Sequence, residues 1–285
     1  MKNFLAMPNL INIQEAVNNF KTLIEDSIIE GGEDAKQAMI RSSRPILNLH
    51  EAVKRELVEA GIDKDFIFPP LNSRKPELRL AGSRKQKDQD VCIVPNHEKA
   101  EEILEDGFLQ DVVDQFGINF TEKTIAINIR SQISSIQKNF DTLHERTTSE
   151  ATNLHDRCPK MCLGEVYMIA VPEYDDKSIR ENKVGFKKIS QSLVLKYIKS
   201  FQAINNRKGI EKNFYKYEKV CLLIVNFSKT PPKIYSTAEE LIKDGLLPTT
   251  LFNDGGSIDI SELSWSRFVP DLLKTYSERF DDLNI

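Results

Sequence analysis

Two carboxylates stand in front of a short apolar run in KDQDVCIVP, residues 87–95. Asp88 and Asp90 would be costly at the mouth of a buried strand unless a positive charge pairs with them. Carboxylate oxygens are preferred ligands of Mg²⁺, and a bound metal can polarise a phosphate and activate water. The stretch therefore predicts a metal ion and a DNA phosphate at Asp90, with Lys87 as a mobile cation beside it.

A second polar pair occurs in KTIAINIRSQ, where isoleucines alternate with Ala126, Asn128 and Arg130. This alternation predicts a strand with one polar face toward its end. Residues two apart on a strand face the same way, so Asn128 and Arg130 can face Asp90 from a neighbouring strand. Hydrolysis of a phosphodiester also needs a cation to balance the charge of the pentavalent phosphate, and Arg130 or Lys87 can supply it.

The elements that must position these residues follow from apolar periodicity. Helices are predicted at LHEAVKRELVEAGI (ending near Gly61), at 98–115 (acidic), at 133–155 (long), at SLVLKYIKSFQAI and over most of 262–280. Strands are predicted at FIFPP and VCIVP (a hairpin-like pair), KTIAINIRSQ, EVYMIAVPEY and KVCLLIVNF. Strands separated by helices predict an α/β fold, with a mixed sheet flanked by helices. The length and the lack of an obvious linker favour a single domain over 1–285.

The order of these elements over 43–154 resembles the core of the PD-(D/E)xK nuclease superfamily, specifically type II restriction endonucleases. IRSQISSIQKNFDTLHERTTSEATNLH is similar to the segment after the acid-x-Lys strand in some of these enzymes. The matching places are held by Arg130, Ser131, Asn139, Phe140, Glu145, Ala151 and Leu154. The resemblance implies a restriction-endonuclease-like mixed β-sheet with a catalytic core at 43–228, a helical N-terminal extension at 1–42 and a helical C-terminal region at 229–285. Trp265 and Phe268 in that last region are candidates for a dimer interface.

The sequence departs from the family pattern in three places. Gln89 replaces the proline before Asp90, Asn128 holds the acid position and Arg130 the lysine position. An amide adds no negative charge, and arginine does not lose its proton near neutral pH.

Some members of the superfamily carry the second acid on the following helix, which makes Glu145 the implied ligand. At about 100° per residue, Glu145 points away from the apolar face of the helix and Glu150 lies at its edge, so Glu150 is the substitute. Glu51, on the preceding helix, is an auxiliary candidate. Glu165 is interpreted as structural because Tyr167 stands where a lysine would be needed.

The resemblance implies a Mg²⁺-dependent, sequence-specific double-stranded DNA endonuclease that acts as a homodimer. The implied catalytic residues are Asp90, Arg130, Glu145 and Lys87, and the implied metal ligands are Asp90, Glu145, Glu150 and Glu51. The implied DNA contacts are Arg74, Lys75, Arg79, Arg84, Lys85, Ser131, Gln132, Lys138 and Asn139. The basic loop 74–87 and parts of the region 183–219, which includes a second basic stretch from Arg207 to Lys219, are the candidates for phosphate contact.

Two other interpretations stay open. The departures at Asn128 and Arg130 favour a catalytically degenerate DNA-binding or defence-associated module of the same fold. The net charge of −4 and the pI of about 5.7 favour a protein-interaction domain without a nucleic-acid partner. The sequence contains no phosphate-binding Gly-Lys-Ser/Thr loop, dinucleotide fingerprint or Gly-x-Ser-x-Gly turn. Few cysteines and no long apolar run predict a cytoplasmic protein without a membrane partner.

Overall fold

The computed structural model describes residues 11–96, 99–249 and 258–280, and this part of the chain is a mixed α/β structure. Its α-helices are α1 (Ile13–Arg41), α2 (Arg44–Glu59), α3 (Gly117–Lys123), α4 (Ile136–His155), α5 (Asp176–Arg180), α6 (Gln191–Ile204), α7 (Ala238–Lys243) and α8 (Trp265–Ser277). Its strands are β1 (Ile67–Phe68), β2 (Arg79–Ala81), β3 (Gln86–Asp88), β4 (Val91–Ile93), β5 (Glu102–Ile103), β6 (Val113–Asp114), β7 (Ile125–Gln132), β8 (Cys162–Ala170), β9 (Lys219–Asn226) and β10 (Lys233–Tyr235). Within these ranges, no helix has the length and apolar character needed to cross a membrane.

Six strands form the central sheet in the order β1-β4-β7-β8-β9-β10. The strands β1, β4 and β7 are antiparallel neighbours, β7, β8 and β9 are parallel, and β10 is antiparallel at the edge. Parallel neighbours need a crossover connection, and the helices α4 and α6 provide the two crossovers. The predicted mixed sheet with flanking helices is confirmed, as is the pairing of FIFPP with VCIVP through Ile67 and Ile93.

Each face of the sheet carries its own apolar core. On one face, α1, α2 and α8 contribute residues such as Phe20, Leu57 and Leu272 to a cluster that contains Ile127 and Val166. On the other face, α4 and α6 pack against the sheet through a second cluster of buried residues, including Phe140, Phe201, Ala126 and Tyr167. Because side chains alternate along β7, Asn128 and Arg130 lie on the face covered by α4.

Apolar periodicity predicted the regular elements that frame this face. The helix α2 ends two residues before Gly61, whose φ of +97° suits glycine. The long helix α4 buries Ile136, Phe140 and Leu154 along one stripe, as the spacing predicted. The strands β7, β8 and β9 are almost entirely buried, which accounts for their nearly continuous apolar sequences.

The predicted acidic helix at 98–115 is wrong. Most of this segment is a hairpin of β5 and β6, with Glu102 opposite Asp114; residues 97 and 98 lie outside the described part of the chain. Gly107, at φ +73°, has a left-handed backbone that is incompatible with a continuous α-helix through this segment. Arg157 of the loop after α4 pairs with both Glu102 and Asp114, and so fixes the two strands together. We call residues 99–116 the acidic arm.

The two terminal regions belong to the main fold. The helix α1 buries Val17, Phe20 and Ile24 in the core, and β10 is a strand of the central sheet within the region predicted to be helical. Phe268 is only 1% exposed, so its predicted role in a dimer interface is wrong. The indole Nε1 of Trp265 donates to Glu56 within the same chain. The parts of these predictions that fall on 1–10, 250–257 and 281–285 lie outside the described residues.

The segment that carries the predicted DNA contacts from Arg74 to Lys85 contains the hairpin of β2 and β3, which we call the basic hairpin (79–88). It is docked on α4 through Asn153, which is 3% exposed. The side-chain oxygen of Asn153 accepts from the backbone N–H groups of Arg84 (2.8 Å) and Lys85 (3.0 Å), and its amide donates to the carbonyl of Lys85 (3.1 Å). A Cβ on Gly82 would lie 2.2 Å from the Asn153 amide, so only glycine permits this approach.

We expect Asn153→Ala to lower the free energy of unfolding by about 2–4 kcal/mol, because three hydrogen bonds at a buried site are lost. Urea denaturation followed by circular dichroism measures this loss. Asn139→Ala, at an exposed position of the same helix, is the matched control and should change stability little. Equal effects of the two substitutions would contradict the docking role of Asn153.

Candidate functional site

A buried cluster of charged side chains lies between the sheet and α4. The guanidinium of Arg130 donates to Glu165 Oε1 at 2.6 Å and to Thr147 Oγ1 at 3.0 Å, and it also pairs with Glu150. Glu165 is fully buried, and the Glu150 side chain is 3% exposed. Arg130 therefore links β7 to β8 and to α4 through ion pairs largely withdrawn from solvent.

Glu150 is the meeting point of three cations. Lys87 Nζ of the basic hairpin lies 2.7 Å from Glu150 Oε2, and Arg146 Nε lies 3.3 Å from Glu150 Oε1. The side chain of Lys87 is one-quarter exposed, whereas that of Arg146 is mostly exposed. Lys87 thus connects the surface of the basic hairpin to the buried carboxylates.

Asp90 enters the cluster from the start of β4. Its Oδ2 accepts a hydrogen bond from the backbone N–H of Ile129 at 2.8 Å, at the point where β4 begins. The register of β4 and β7 pairs Val91 with Ile127, which places Asp90 across from Asn128. The carboxylate also acts electrostatically on Lys87, since it opposes the fall in the pKa of that amine.

Two buried oxygens beside Asp90 have no hydrogen-bond partner. They are Asn128 Oδ1 on β7 and Glu165 Oε2 on β8, and the parallel register places these two residues opposite each other. An unpaired buried acceptor costs about 1–3 kcal/mol unless a ligand or water satisfies it. Oxygen donors of this kind suit a hard divalent cation such as Mg²⁺.

Arg130 and Lys87 at present neutralise the carboxylates that a metal would use. Within the described ranges, no three acidic, histidine or cysteine side chains converge in a metal-ligand arrangement. Arg130 is one reason why such an arrangement is lacking there, because its guanidinium contacts both Glu150 and Glu165. The donor chemistry fits Mg²⁺, but the metal would have to compete with these two cations.

Burial dominates the titration of the cluster. It raises the pKa of Glu165 to about 7, although the neighbouring Arg130 favours the ionised form. It lowers the pKa of Lys87 to about 8, and the charge of Arg130 adds to that fall. Burial is the largest single effect on Arg130 and disfavours its charged form, but Glu165, Tyr217 and Asp90 together outweigh it and raise the guanidinium pKa. Arg130 therefore stays protonated, while Glu165 and Lys87 titrate near neutral pH.

Four of the predicted catalytic or metal residues meet in this cluster, namely Asp90, Lys87, Arg130 and Glu150. Glu145 does not, because it is exposed on the solvent side of α4. Glu51 is also engaged elsewhere: it pairs with Lys54 at 2.7 Å and accepts from the backbone N–H of Asn72 at 2.8 Å. Glu51 therefore supports the loop that follows β1, and the structure gives no geometric basis for Glu51 or Glu145 as a ligand.

Most of the predicted DNA contacts are accessible. The exposed ones are Arg74, Lys75, Arg79, Arg84, Lys85, Lys138 and Asn139, and Ser131 is half-buried. Gln132 is buried and accepts from the hydroxyls of Tyr167 (3.0 Å) and Tyr197 (2.5 Å), so it is not available to DNA. In the second basic stretch, Arg207 and Lys219 are likewise buried, each in an ion pair.

Four residues that build the site are not among the predicted site residues, although one of them, Glu165, is interpreted as structural from the sequence. Glu165, Thr147, Asn153 and Tyr217 contact the cluster or hold its elements, and Tyr217 donates to the Thr147 carbonyl at 2.8 Å. Glu165 did leave a signal, because it is the one charge inside the apolar run LGEVYMIA. A carboxylate within a buried strand needs a partner, and Arg130 at the same face was the nearest candidate.

Comparison with known proteins adds no assignment, since no protein-family model, curated protein or solved structure matches the chain.

The raised pKa of Glu165 predicts a pH-dependent stability. Because the folded state holds this proton up to about pH 7 and the unfolded state only to about 4.5, the contribution of Glu165 to stability falls as pH rises through that window. Glu165→Gln removes the dependence. We expect the unfolding free energy of the variant, minus that of the wild type, to increase by about 3 kcal/mol between pH 4.5 and 7.5.

Urea titrations at a series of pH values measure this difference. Glu145→Gln removes an exposed carboxylate and should give a flat difference over the same range. If the difference for Glu165→Gln is also flat, Arg130 keeps Glu165 ionised throughout and the burial argument fails.

Proposed function

We propose that the chain is a Mg²⁺-dependent endonuclease that cleaves double-stranded DNA at specific sequences. The observation that carries the proposal is the convergence of Asp90, Asn128 and Glu165 from three adjacent strands on one face of the sheet. Two oxygens in this set lack hydrogen-bond partners. The order α2-β1-β4-β7-α4-β8, with the acid immediately before β4 and the polar pair on β7, supports the proposal because it is the order expected for a restriction-endonuclease-like core.

Each residue in the cluster has a proposed role. Asp90, Asn128 and Glu165 would hold the metal, with Glu150 of α4 as a further acid. Bound there, Mg²⁺ supplies polarisation of the scissile phosphate and activation of water. Lys87 and Arg130 stabilise negative charge on the phosphate, because both are cations at neutral pH within the same cluster.

Contact with DNA is proposed for the exposed cations on and beside the basic hairpin. Arg74, Lys75, Arg79, Arg84 and Lys85 all lie at the surface. Such contacts release counterions, so affinity should fall steeply as salt increases. Lys87, on the same hairpin, would bring the phosphate contacts next to the cluster.

We expect purified protein to cut long unmethylated DNA into discrete fragments with Mg²⁺ and to leave it intact with chelator. Asp90→Asn should lower the cleavage rate by at least about 100-fold, because the amide can still accept from Ile129 but brings no charge to a metal. Gel analysis of timed digests measures the rate.

Asp88→Asn is the matched control, since Asp88 lies two residues away and is exposed. Its digestion pattern should equal that of the wild type. Intact DNA under every condition, across several DNA sources, would reject cleavage, and equal losses in the two variants would reject the assignment to Asp90.

The lowered pKa of Lys87 predicts an alkaline limit to cleavage. As pH rises through about 8, Lys87 loses its charge and no longer balances the phosphate. We expect kcat/KM of the wild type to fall above that pH, and the fall to move beyond pH 9 in Lys87→Arg, since arginine keeps its proton.

Lys85→Arg, at an exposed position of the same hairpin, should leave the alkaline limb in place. A rate that instead rises through pH 8 in the wild type, and is lost in Lys87→Arg, would make Lys87 a proton acceptor.

A second candidate function is DNA binding without cleavage. The observation that favours it is the neutralisation of Glu150 and Glu165 by Arg130 and Lys87, which gives a balanced cluster without a metal. A binding module would hold DNA equally well in chelator and in Mg²⁺, and would cut it in neither. A protein-interaction domain would show no salt-sensitive affinity for DNA at all.

A further inference from the structure

The orientation of the Asn128 side chain decides what it can offer to a metal. Its amide carries an oxygen on one side and an NH₂ group on the other, and only the oxygen can coordinate a cation. Within the described ranges, the Asn128 amide makes one hydrogen bond, in which Nδ2 donates to the hydroxyl of Tyr217 at 3.5 Å. The orientation of the amide therefore depends on Tyr217.

The hydroxyl of Tyr217 is an acceptor on the side of Asn128. Its own proton is donated to the carbonyl of Thr147 at 2.8 Å, so only lone pairs are left for its other neighbours. Burial and the charge of Glu165 raise the pKa of Tyr217, and contact with the guanidinium of Arg130 opposes that rise. An amide oxygen in the place of Nδ2 would face a hydroxyl oxygen whose proton points elsewhere. The NH₂ group is therefore the group that lies against Tyr217.

The oxygen of the amide lies on the opposite side, away from Tyr217. This oxygen is buried and has no hydrogen-bond partner. Asn128 lines a small cavity together with Lys87, Gln89 and Glu150, and Tyr217 is not part of its wall. The oxygen side of the amide is thus the side of this cavity, which Glu150 also borders.

We propose that Tyr217 is a positioning residue, which sets the Asn128 amide with its oxygen, and not its NH₂ group, toward the metal. The inference rests on the metal site of the proposed function. Without the hydroxyl, the amide is free to turn over, and its NH₂ group then donates to the carboxylates of the cluster. An NH₂ group in that place competes with a metal instead of binding it.

Nuclear magnetic resonance tests the orientation without any metal. In the full chain labelled with ¹⁵N on asparagine, we expect a nuclear Overhauser contact between the NH₂ protons of Asn128 and the ring protons of Tyr217. The absence of the NH₂ signal in Asn128→Asp assigns it. A wild type without this contact overturns the proposal, whatever the protein does with metal or DNA.

Binding of Mn²⁺, used as a probe for Mg²⁺, tests the consequence. We expect Tyr217→Phe to raise the dissociation constant of Mn²⁺ by about 10–100-fold, the usual loss when a group that orients a metal ligand is removed. Paramagnetic resonance of free Mn²⁺ measures the constant, and thermal unfolding verifies that each variant is folded.

Tyr276→Phe is the matched control. It removes another buried hydroxyl, which donates to the Lys123 carbonyl at 2.9 Å and belongs to the core cluster on the other face of the sheet. The Mn²⁺ constant of this variant should equal that of the wild type. Equal weakening by Tyr217→Phe and Tyr276→Phe overturns the proposal, because the loss would then follow from any missing buried hydroxyl.

A rescue experiment separates orientation from a general structural role. Asn128→Asp carries an oxygen on both sides, so its binding of metal does not depend on which side faces Tyr217. We expect the double variant Asn128→Asp with Tyr217→Phe to bind Mn²⁺ at least as tightly as the wild type. Failure of this rescue, or wild-type affinity in Tyr217→Phe alone, rejects the role of Tyr217 only. A wild type that binds no Mn²⁺ rejects the metal site itself, and the role of Tyr217 with it.

Discussion

The ion pairing of Arg130 with Glu165 and Glu150 is the constraint on which the rest of the site depends. It places one guanidinium between a fully buried carboxylate on β8 and a nearly buried one on α4. Removing one partner of a buried pair leaves an uncompensated charge, at a cost of about 3–5 kcal/mol. The position of α4 over the sheet is therefore fixed by charge as well as by the apolar stripe that ends at Leu154. Arginine suits this place better than lysine, because its planar fork contacts several acceptors at once.

Asp90 has a structural role and a proposed chemical one. Its carboxylate accepts from Ile129, a bond that a backbone carbonyl would otherwise make in an uninterrupted ladder. The strand β4 thus begins where a charged group replaces the backbone as acceptor. This explains how a carboxylate can stand directly before the buried apolar run VCIVP.

The sequence predicted elements whose apolar spacing is local and failed where distant contacts decide. The apolar periodicities predicted the type and position of α2, α4 and β7. The geometry of an ideal helix also separated Glu150 from Glu145, because a turn of about 140° between positions five apart puts them on different faces. The acidic arm was misread because its strands are held by Arg157, more than 40 residues away in the chain.

The same limit applies to the site residues. The role of Asn153 depends on backbone groups about 70 residues away, and no local pattern predicts it. Glu165 was visible as a charge within an apolar run, but its register against Asn128 fixes its role, and register between parallel strands cannot be derived from one strand alone. Glu51 is the opposite case. Its position on α2 suited a metal ligand, but the sequence does not show that its carboxylate is paired with Lys54.

The docking of the basic hairpin on α4 has a mechanical consequence. Asn153, which holds the hairpin backbone, and Glu150, which holds Lys87, are three positions apart on α4 and therefore neighbours on one face of it. The hairpin is therefore joined to this turn of the helix at two points less than one helical turn apart. When a molecule binds the surface of the hairpin, the displacement that it causes is transmitted to Glu150 directly, through Lys87 and Asn153. A displacement of the hairpin surface is thus coupled to a displacement of the buried charges.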